Sequence, residues 1–165
     1  MRESCTYGSA RGAARKGGPY RDRVDGIAKR RDRAAELGAD RTLEPAQAAE
    51  LLPNSADVVF ETAGSSAATA AAFAFARPGG QVVQVGWPET NRVEMDVAAF
   101  IEKELDYHAV NRYANAFPAA IDWLADGRVI GDALITHRFP FDDVAKAFQF
   151  ALDHRQDVIK VLVLN

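Results

Sequence analysis

The chain has 165 residues, of which 48% are hydrophobic and 26% are charged, so it has the length of one ordinary domain and enough apolar residues for a core. Its formal net charge of −3 argues against a general nucleic-acid-binding protein. The single cysteine, Cys5, excludes an internal disulfide framework and a cysteine-based zinc site. No apolar run approaches the length of a membrane span, and no signal-peptide pattern follows the basic N-terminus. We therefore expect a soluble, cytoplasmic protein.

The first 23 residues differ in composition from the rest of the chain. Arginine, glycine and small residues predominate, and neither a strand pattern nor a helical stripe is present. We therefore expect residues 1–23 to be a disordered or loosely attached tail. Its basic side chains have two interpretations, contact with an acidic partner or a solvated tail, and the second is favoured.

Helix and strand patterns begin after Val24. Apolar residues on one side of residues 27–37 predict a helix, which Gly38 ends. The pattern then predicts a short strand at 41–43 and a helix at 45–52 with a proline in its first turn.

The central stretch, residues 57–86, predicts a strand–helix–strand unit. Its continuous apolar run at 58–60 is typical of a strand buried on both faces of a parallel sheet. The expected elements are that strand, a helix at 67–76 capped by Ser65 or Ser66, a stop at Pro78-Gly79-Gly80 and a strand at 81–86. Ligands of open parallel sheets bind beyond the carboxyl ends of strands. The turns Ala63-Gly64 and Gly86-Trp87 are therefore either ordinary turns or the border of a binding site.

The remaining residues continue the alternation of helices and strands. The expected elements are a short strand at 93–96, a helix at 97–105, a strand at 107–111, a helix at 117–125 capped by Asn115, a strand at 134–139, a helix at 142–152 and a strand at 158–164. This order of elements predicts the α/β class.

Five collinear segments carry a resemblance to a known family. They are VDGIAKRRDRAAELGAD at 24–40, ADVVFETAG at 56–64, RPGGQVVQVG at 77–86, NRYANAFPAAIDWLADGRV at 111–129 and ITHRFPFDDVAKAF at 135–148. From Val24 onward the chain resembles the C-terminal part of a medium-chain dehydrogenase/reductase, and most of all the zinc-dependent alcohol/sorbitol (polyol) dehydrogenase branch. The resemblance implies a partial NAD-binding Rossmann domain with a doubly wound parallel sheet at 24–113. It also implies that residues 114–165 return to the catalytic domain.

The resemblance also implies where the cofactor adenosine would bind. Asp25 matches the acidic residue that ends the second strand and accepts hydrogen bonds from the adenosine ribose, and a carboxylate there favours NAD over NADP. Arg30 matches a basic residue beside the same ribose. The alternative is that Asp25 is an exposed acid at a helix start and Arg30 a solvated arginine.

Two further segments match the nicotinamide end and the substrate. The expected cofactor-binding residues there are Val85, Gly86, Trp87, Val110, Asn111 and Arg112. Arg112 and Tyr113 match the pair that reaches the polyol in sorbitol dehydrogenases, and their hydrogen-bond donors suit a hydroxyl-rich ligand. His108, His137 and His154 have no metal-ligand spacing and are expected to be structural.

The chain also departs from the family pattern. Nothing corresponds to the catalytic domain or its zinc ligands, so no catalytic residue and no metal ligand is assigned. The glycine-rich G-x-G-x-x-G turn is absent, since Gly8, Gly12, Gly17 and Gly18 do not reproduce its spacing. We therefore expect NAD binding to be weakened or lost. We further expect an incomplete Rossmann sheet that lacks its first strand. One hypothesis is a truncated reading frame whose tail is translated from a shifted frame.

These observations predict a partial zinc-type NAD-dependent dehydrogenase. The complete enzyme would oxidise a polyol or secondary alcohol by hydride transfer to NAD, and this chain alone is expected to be inactive. The alternative is a non-catalytic nucleotide-binding or subunit-interaction module that forms a homo-oligomer or pairs with a full-length homologue. A zinc-independent quinone reductase is a third candidate, against which the pair Arg112-Tyr113 argues.

Overall fold

The computed structural model describes the backbone of residues 4–7 and the whole of residues 21–90 and 92–165. The strands are β1 (Ser4–Tyr7), β2 (Arg21–Val24), β3 (Arg41–Leu43), β4 (Ala56–Glu61), β5 (Ala76–Gln84), β6 (Asp106–Ala109), β7 (Ile135–Pro140) and β8 (Lys160–Leu164). The helices are α1 (Ala28–Glu36), α2 (Pro45–Leu51), α3 (Ser66–Phe75), α4 (Val97–Glu102), α5 (Phe117–Ala125) and α6 (Val144–Asp153). Two short 3-10 turns, Gly131–Leu134 and Phe141–Asp143, precede β7 and α6.

Six strands form one sheet in the order β3-β2-β1-β4-β5-β6, and every neighbouring pair is parallel. This is the strand order of a doubly wound, Rossmann-like sheet. The predicted α/β class is therefore confirmed.

The expectation that the sheet lacks its first strand is wrong. Ser4–Tyr7 lies between β2 and β4, with Cys5 paired to Asp22 on one side and to Val59 on the other. The expectation that regular structure begins at Val24 is also wrong, because β2 begins at Arg21. A gap at this position would leave the facing backbone groups of two strands unpaired, so a segment without a strong strand pattern can still form a strand there. The rest of the predicted tail, residues 1–3 and 8–20 with the four glycines, lies outside the described residues.

The core of this sheet lies between β4, β5 and α3. Val59 and Val82 are fully buried on the two strands, and Phe75 packs from the end of the helix. The capping prediction is confirmed, because the Ser65 Oγ accepts a hydrogen bond from the Ala68 N–H at 3.1 Å. The alanines of α3 let the helix lie close to the strands, as Ala68 and Ala72 are fully buried.

Three local expectations are corrected. Strand β5 begins at Ala76 rather than residue 81, because Ala76 already pairs with Ala56 across an irregularity in the register. Residues 93–96 form no strand, and Asp96 instead caps α4 by accepting a hydrogen bond from the Ala99 N–H at 3.0 Å. Asn115 does not cap α5, because the residue before that helix is Ala116 and makes no side-chain capping bond.

A second, two-stranded parallel sheet pairs β7 with β8, and α6 packs on both strands. Ala147 of α6 and Val158 are buried there. Within the described ranges, we find no helix whose length and apolar content suffice to cross a membrane.

Candidate functional site

The candidate site is built by the carboxyl ends of the parallel strands. All six strands run in one direction, so the residues that follow β2, β4, β5 and β6 lie at the same edge of the sheet. The predicted site residues occupy three of these ends: Asp25 follows β2, Val85–Trp87 follow β5, and Val110–Tyr113 follow β6. The structure thus places the predicted residues along one edge.

Asp25 and Arg30 lie together at the end of β2. The Asp25 Oδ1 accepts a hydrogen bond from the Ile27 N–H at 2.8 Å and so fixes the turn into α1. Its Oδ2 lies 3.9 Å from the Arg30 Nη1, and the Asp25 side chain is 12% exposed. Arg31 donates to the Asp25 carbonyl at 2.8 Å and to Glu44 at 2.7 Å, which ties the turn to the start of α2. The carboxylate is therefore held in place, with Oδ2 beside a cation.

The loops after β4 and β5 touch through their glycines. Gly64 has a φ of +76°, and a Cβ there would overlap the Trp87 carbonyl. A Cβ on Gly86 would overlap the Gly64 nitrogen. The Glu89 N–H also donates to the Gly64 carbonyl at 3.1 Å. Only glycine permits this approach of two backbones.

Apolar side chains remain uncovered where these loops meet the end of β6. Val85, Trp87 and Val110 are 46%, 79% and 45% exposed. The Val110 N–H donates to the Gln84 carbonyl at 2.9 Å, which holds the end of β6 beside the end of β5. The edge thus offers an apolar surface next to the two glycines.

The predicted substrate pair follows this surface and is exposed. Arg112 adopts a left-handed backbone with φ 62°, a conformation that costs a non-glycine residue roughly 1–3 kcal/mol. Tyr113 packs edge-to-face on Phe117, with ring centroids 4.9 Å apart. The ring contact between Tyr113 and Phe117 connects the loop after β6 to helix α5.

Two residues that sequence reasoning missed lie beneath this edge. Glu61 is fully buried at the last position of β4, and its register partner on β5 is Gln84. A charged residue directly after the apolar run Val58-Val59-Phe60, and a polar residue at the end of the next strand, were the signals present in the sequence.

The histidines and carboxylates form no metal site in the part of the chain that the structure describes. Residues 21–90 and 92–165 contain no group of three or more His, Cys, Asp or Glu side chains placed to hold a metal ion. His137 and His154 both pack against the ring of Phe150, with centroids 4.7 and 4.1 Å away.

The sequence comparison decides the family. Residues 23–126, more than half of the chain, match the family model described as zinc-binding dehydrogenase. This chain belongs to the zinc-binding dehydrogenase family. Curated relatives include the sorbitol dehydrogenase of Bacillus subtilis, 36% identical over 65% of this chain and 30% of that protein. Another is sorbitol dehydrogenase 1 of Saccharomyces cerevisiae, 32% identical over 86% of this chain and 43% of that protein. The resemblance to the sorbitol branch is thereby confirmed.

Solved structures of other dehydrogenases share the fold. L-idonate 5-dehydrogenase from Escherichia coli superposes with a TM-score of 0.85 and 25% identity over 99% of this chain and 50% of that one. A short chain alcohol dehydrogenase from Escherichia coli CFT073, solved with NADH, has a TM-score of 0.83 and 25% identity over 97% of this chain and 51% of that one. The chain thus spans about a third to a half of the length of these proteins.

Proposed function

We propose that this chain supplies the NAD-binding part of a dehydrogenase that oxidises a polyol or secondary alcohol. The observation that carries the proposal is the row of predicted residues at one carboxyl edge, Asp25 after β2 and the uncovered Val85 and Trp87 after β5. β2 and β5 are three strand spacings apart in the sheet, which is about 14 Å. An extended dinucleotide suits such a span better than a single nucleotide does.

The residues present fit such a ligand. The Asp25 Oδ2 is an acceptor for ribose hydroxyls, and Arg30 beside it balances the carboxylate charge. The glycine contact brings the backbones after β4 and β5 close together, and Val85, Trp87 and Val110 give a planar ring an apolar surface. When bound, NAD supplies the ring that accepts hydride from the alcohol carbon. Arg112 and Tyr113 are proposed to donate hydrogen bonds to the substrate hydroxyls.

We assign no zinc-dependent step to the described residues. Residues 21–90 and 92–165 hold no set of side chains that fits the metal. We therefore expect the purified chain to be inactive as a dehydrogenase. Assaying NAD reduction with sorbitol, with and without added zinc, tests this, and zinc-dependent turnover would overturn it.

Cofactor binding is tested directly by titration. The chain contains two tryptophans, Trp87 and Trp123. In a Trp123→Phe background, Trp87 reports on the proposed nicotinamide end. Saturable quenching of Trp87 by NADH, competed by NAD, supports the proposal. Absence of saturable binding by fluorescence and by calorimetry contradicts it.

A second candidate function is that of a subunit-interaction module, favoured by the exposure of α5. No residue of this helix is buried, and its large apolar side chains Phe117, Ile121, Trp123 and Leu124 are all about half exposed or more. Pairing with a full-length zinc-binding dehydrogenase or with a second copy would cover them. Light scattering and co-purification test this. Ile121→Glu should abolish association, while Asp122→Ala, at a polar position of the same helix, should not. Unchanged association in Ile121→Glu contradicts this function.

A further inference from the structure

The strongest unexplained feature of the chain is the buried carboxylate of Glu61. Its side chain is fully inaccessible, and Oε1 accepts hydrogen bonds from the Ala63 N–H at 2.7 Å and the Gly64 N–H at 2.9 Å. A buried carboxylate is costly unless its oxygens are satisfied. Here one oxygen is used to hold the loop that follows β4.

The second oxygen is bound by the neighbouring strand. The Gln84 Nε2 donates to the Glu61 Oε2 and, at 2.9 Å, to the Gly86 carbonyl. Only the amide nitrogen of Gln84 can donate to two acceptors, so these bonds fix the orientation of the amide. The Gln84 Oε1 is then buried without a hydrogen-bond partner in the described part of the chain. The free energy gained from the two hydrogen bonds of Nε2 therefore outweighs the cost of leaving Oε1 buried without a partner.

The backbone of Glu61 binds the loop that follows β5. The Glu61 carbonyl accepts from the Val85 N–H at 2.8 Å and the Gly86 N–H at 2.9 Å. Glu61 therefore contacts both loops through its side chain and its backbone, directly beneath the point where Gly64 and Gly86 touch.

We propose that Glu61, oriented by Gln84, is a positioning residue that sets the path of the Val85–Trp87 segment and so the nicotinamide end of the cofactor site. The inference rests on the proposed function and adds a residue to it. Being inaccessible, Glu61 acts through the segment rather than by touching the ligand. Asp25 lies across the sheet from it, beyond β1, so the adenosine end should not depend on Glu61.

Glu61→Gln is the sharpest test. The variant keeps an oxygen that accepts from the Ala63 and Gly64 N–H groups. Its amide nitrogen, however, faces the amide nitrogen of Gln84, and two donors cannot form a hydrogen bond. Gln84 must then turn and give up its bond to Gly86. We expect the NADH dissociation constant to rise roughly tenfold, while that of ADP-ribose, which lacks the nicotinamide, stays within about twofold. Equal losses for both ligands, or no loss for either, would overturn the inference.

Gln84→Met serves as the second variant, since it leaves Glu61 bound to its own loop. The matched control is Gln81→Met, three residues earlier on β5 and away from the edge. Amide hydrogen exchange is read on the free chain in all variants, together with the melting temperature. Val85 and Gly86 should exchange faster in Glu61→Gln and Gln84→Met, because both variants lose the bond from Gln84 to the Gly86 carbonyl. The amides of Gly64, β4 and β6 should be unchanged. If the native chain binds no NADH, the proposed function fails, and unchanged exchange at these amides separately overturns the positioning role.

Discussion

The carboxylate of Asp25 faces the guanidinium of Arg30 across 3.9 Å at the end of β2. The Asp25 Oδ1 is occupied by the Ile27 N–H, so Oδ2 is the oxygen that the proposed ribose contact would use. This division of the two oxygens lets the turn and the proposed ligand contact be changed separately.

Asp25→Asn should change cofactor preference without unfolding the chain. Its amide oxygen still accepts from the Ile27 N–H, but the negative charge that repels a 2′-phosphate is gone. We expect the ratio of NADP affinity to NAD affinity to rise roughly tenfold. Calorimetric titration of both cofactors measures it, and an unchanged ratio with an intact melting temperature would refute it.

Gly64→Ala should destabilise the chain strongly. The new methyl group would overlap the Trp87 carbonyl, and alanine would be forced to a positive φ. Overpacking and the left-handed backbone together predict a loss of at least about 3 kcal/mol in the free energy of unfolding. Urea denaturation measures it.

Gly127→Ala is the matched control for that variant. Gly127 has a similar φ of +74° but no heavy atom within 4 Å of a Cβ. The free energy of unfolding of Gly127→Ala should fall only by the cost of the left-handed backbone, roughly 1–2 kcal/mol. Equal losses in the two variants would show that the contact between the loops is unimportant.

Lys103 should stabilise the end of α3. Its Nζ donates to the carbonyls of Phe73, Ala74 and Ala76 at 2.9, 3.1 and 3.1 Å, where the helix leaves its last carbonyls without partners. Lys103→Met should lower the free energy of unfolding by about 1–2 kcal/mol. Lys146→Met, which removes an exposed pair with Asp143, should change it by less than about 0.5 kcal/mol. Thermal and urea unfolding of both variants decide between them.

Tyr107 should make stability fall at high pH. Partial burial of the phenol, with the charge of Glu61 as a second cause, raises the pKa of Tyr107 above its ordinary 10.0. As the pH rises through that value, the unfolded chain loses the phenol proton before the folded chain does. The stabilisation contributed by the proton is complete below pH 10.0 and is lost as the pH rises through the folded pKa.

The Tyr107→Phe variant isolates this effect. Its urea midpoint should decline less steeply in alkaline buffer than that of the native chain. Ultraviolet titration should also show that Glu61→Gln brings the pKa of Tyr107 back toward its ordinary range. Parallel declines in the native chain and Tyr107→Phe would count against the assignment.

The sequence alone determined the local elements and the family. Apolar patterns, capping residues and helix propensity located α1, α3, α5 and the strand at β4, because these signals depend on neighbours within a few residues. The collinear segments indicated the polyol branch, which the family match and the relatives then confirmed. Val85–Trp87 could be located because they directly follow a strand with a strong apolar pattern. Asp25 could be named only from the resemblance, because β2 before it has no strand pattern of its own.

Only the tertiary structure decided the contacts between distant segments. Ser4–Tyr7 becomes a strand because the backbones of β2 and β4 face it from both sides, not because its own residues favour one. Glu61 and Gln84 are 23 residues apart, and their pairing exists only once β4 and β5 align in register. Local patterns determine which segments form strands and which form helices. Hydrogen-bond partners across a parallel sheet depend on how those segments are arranged around one another.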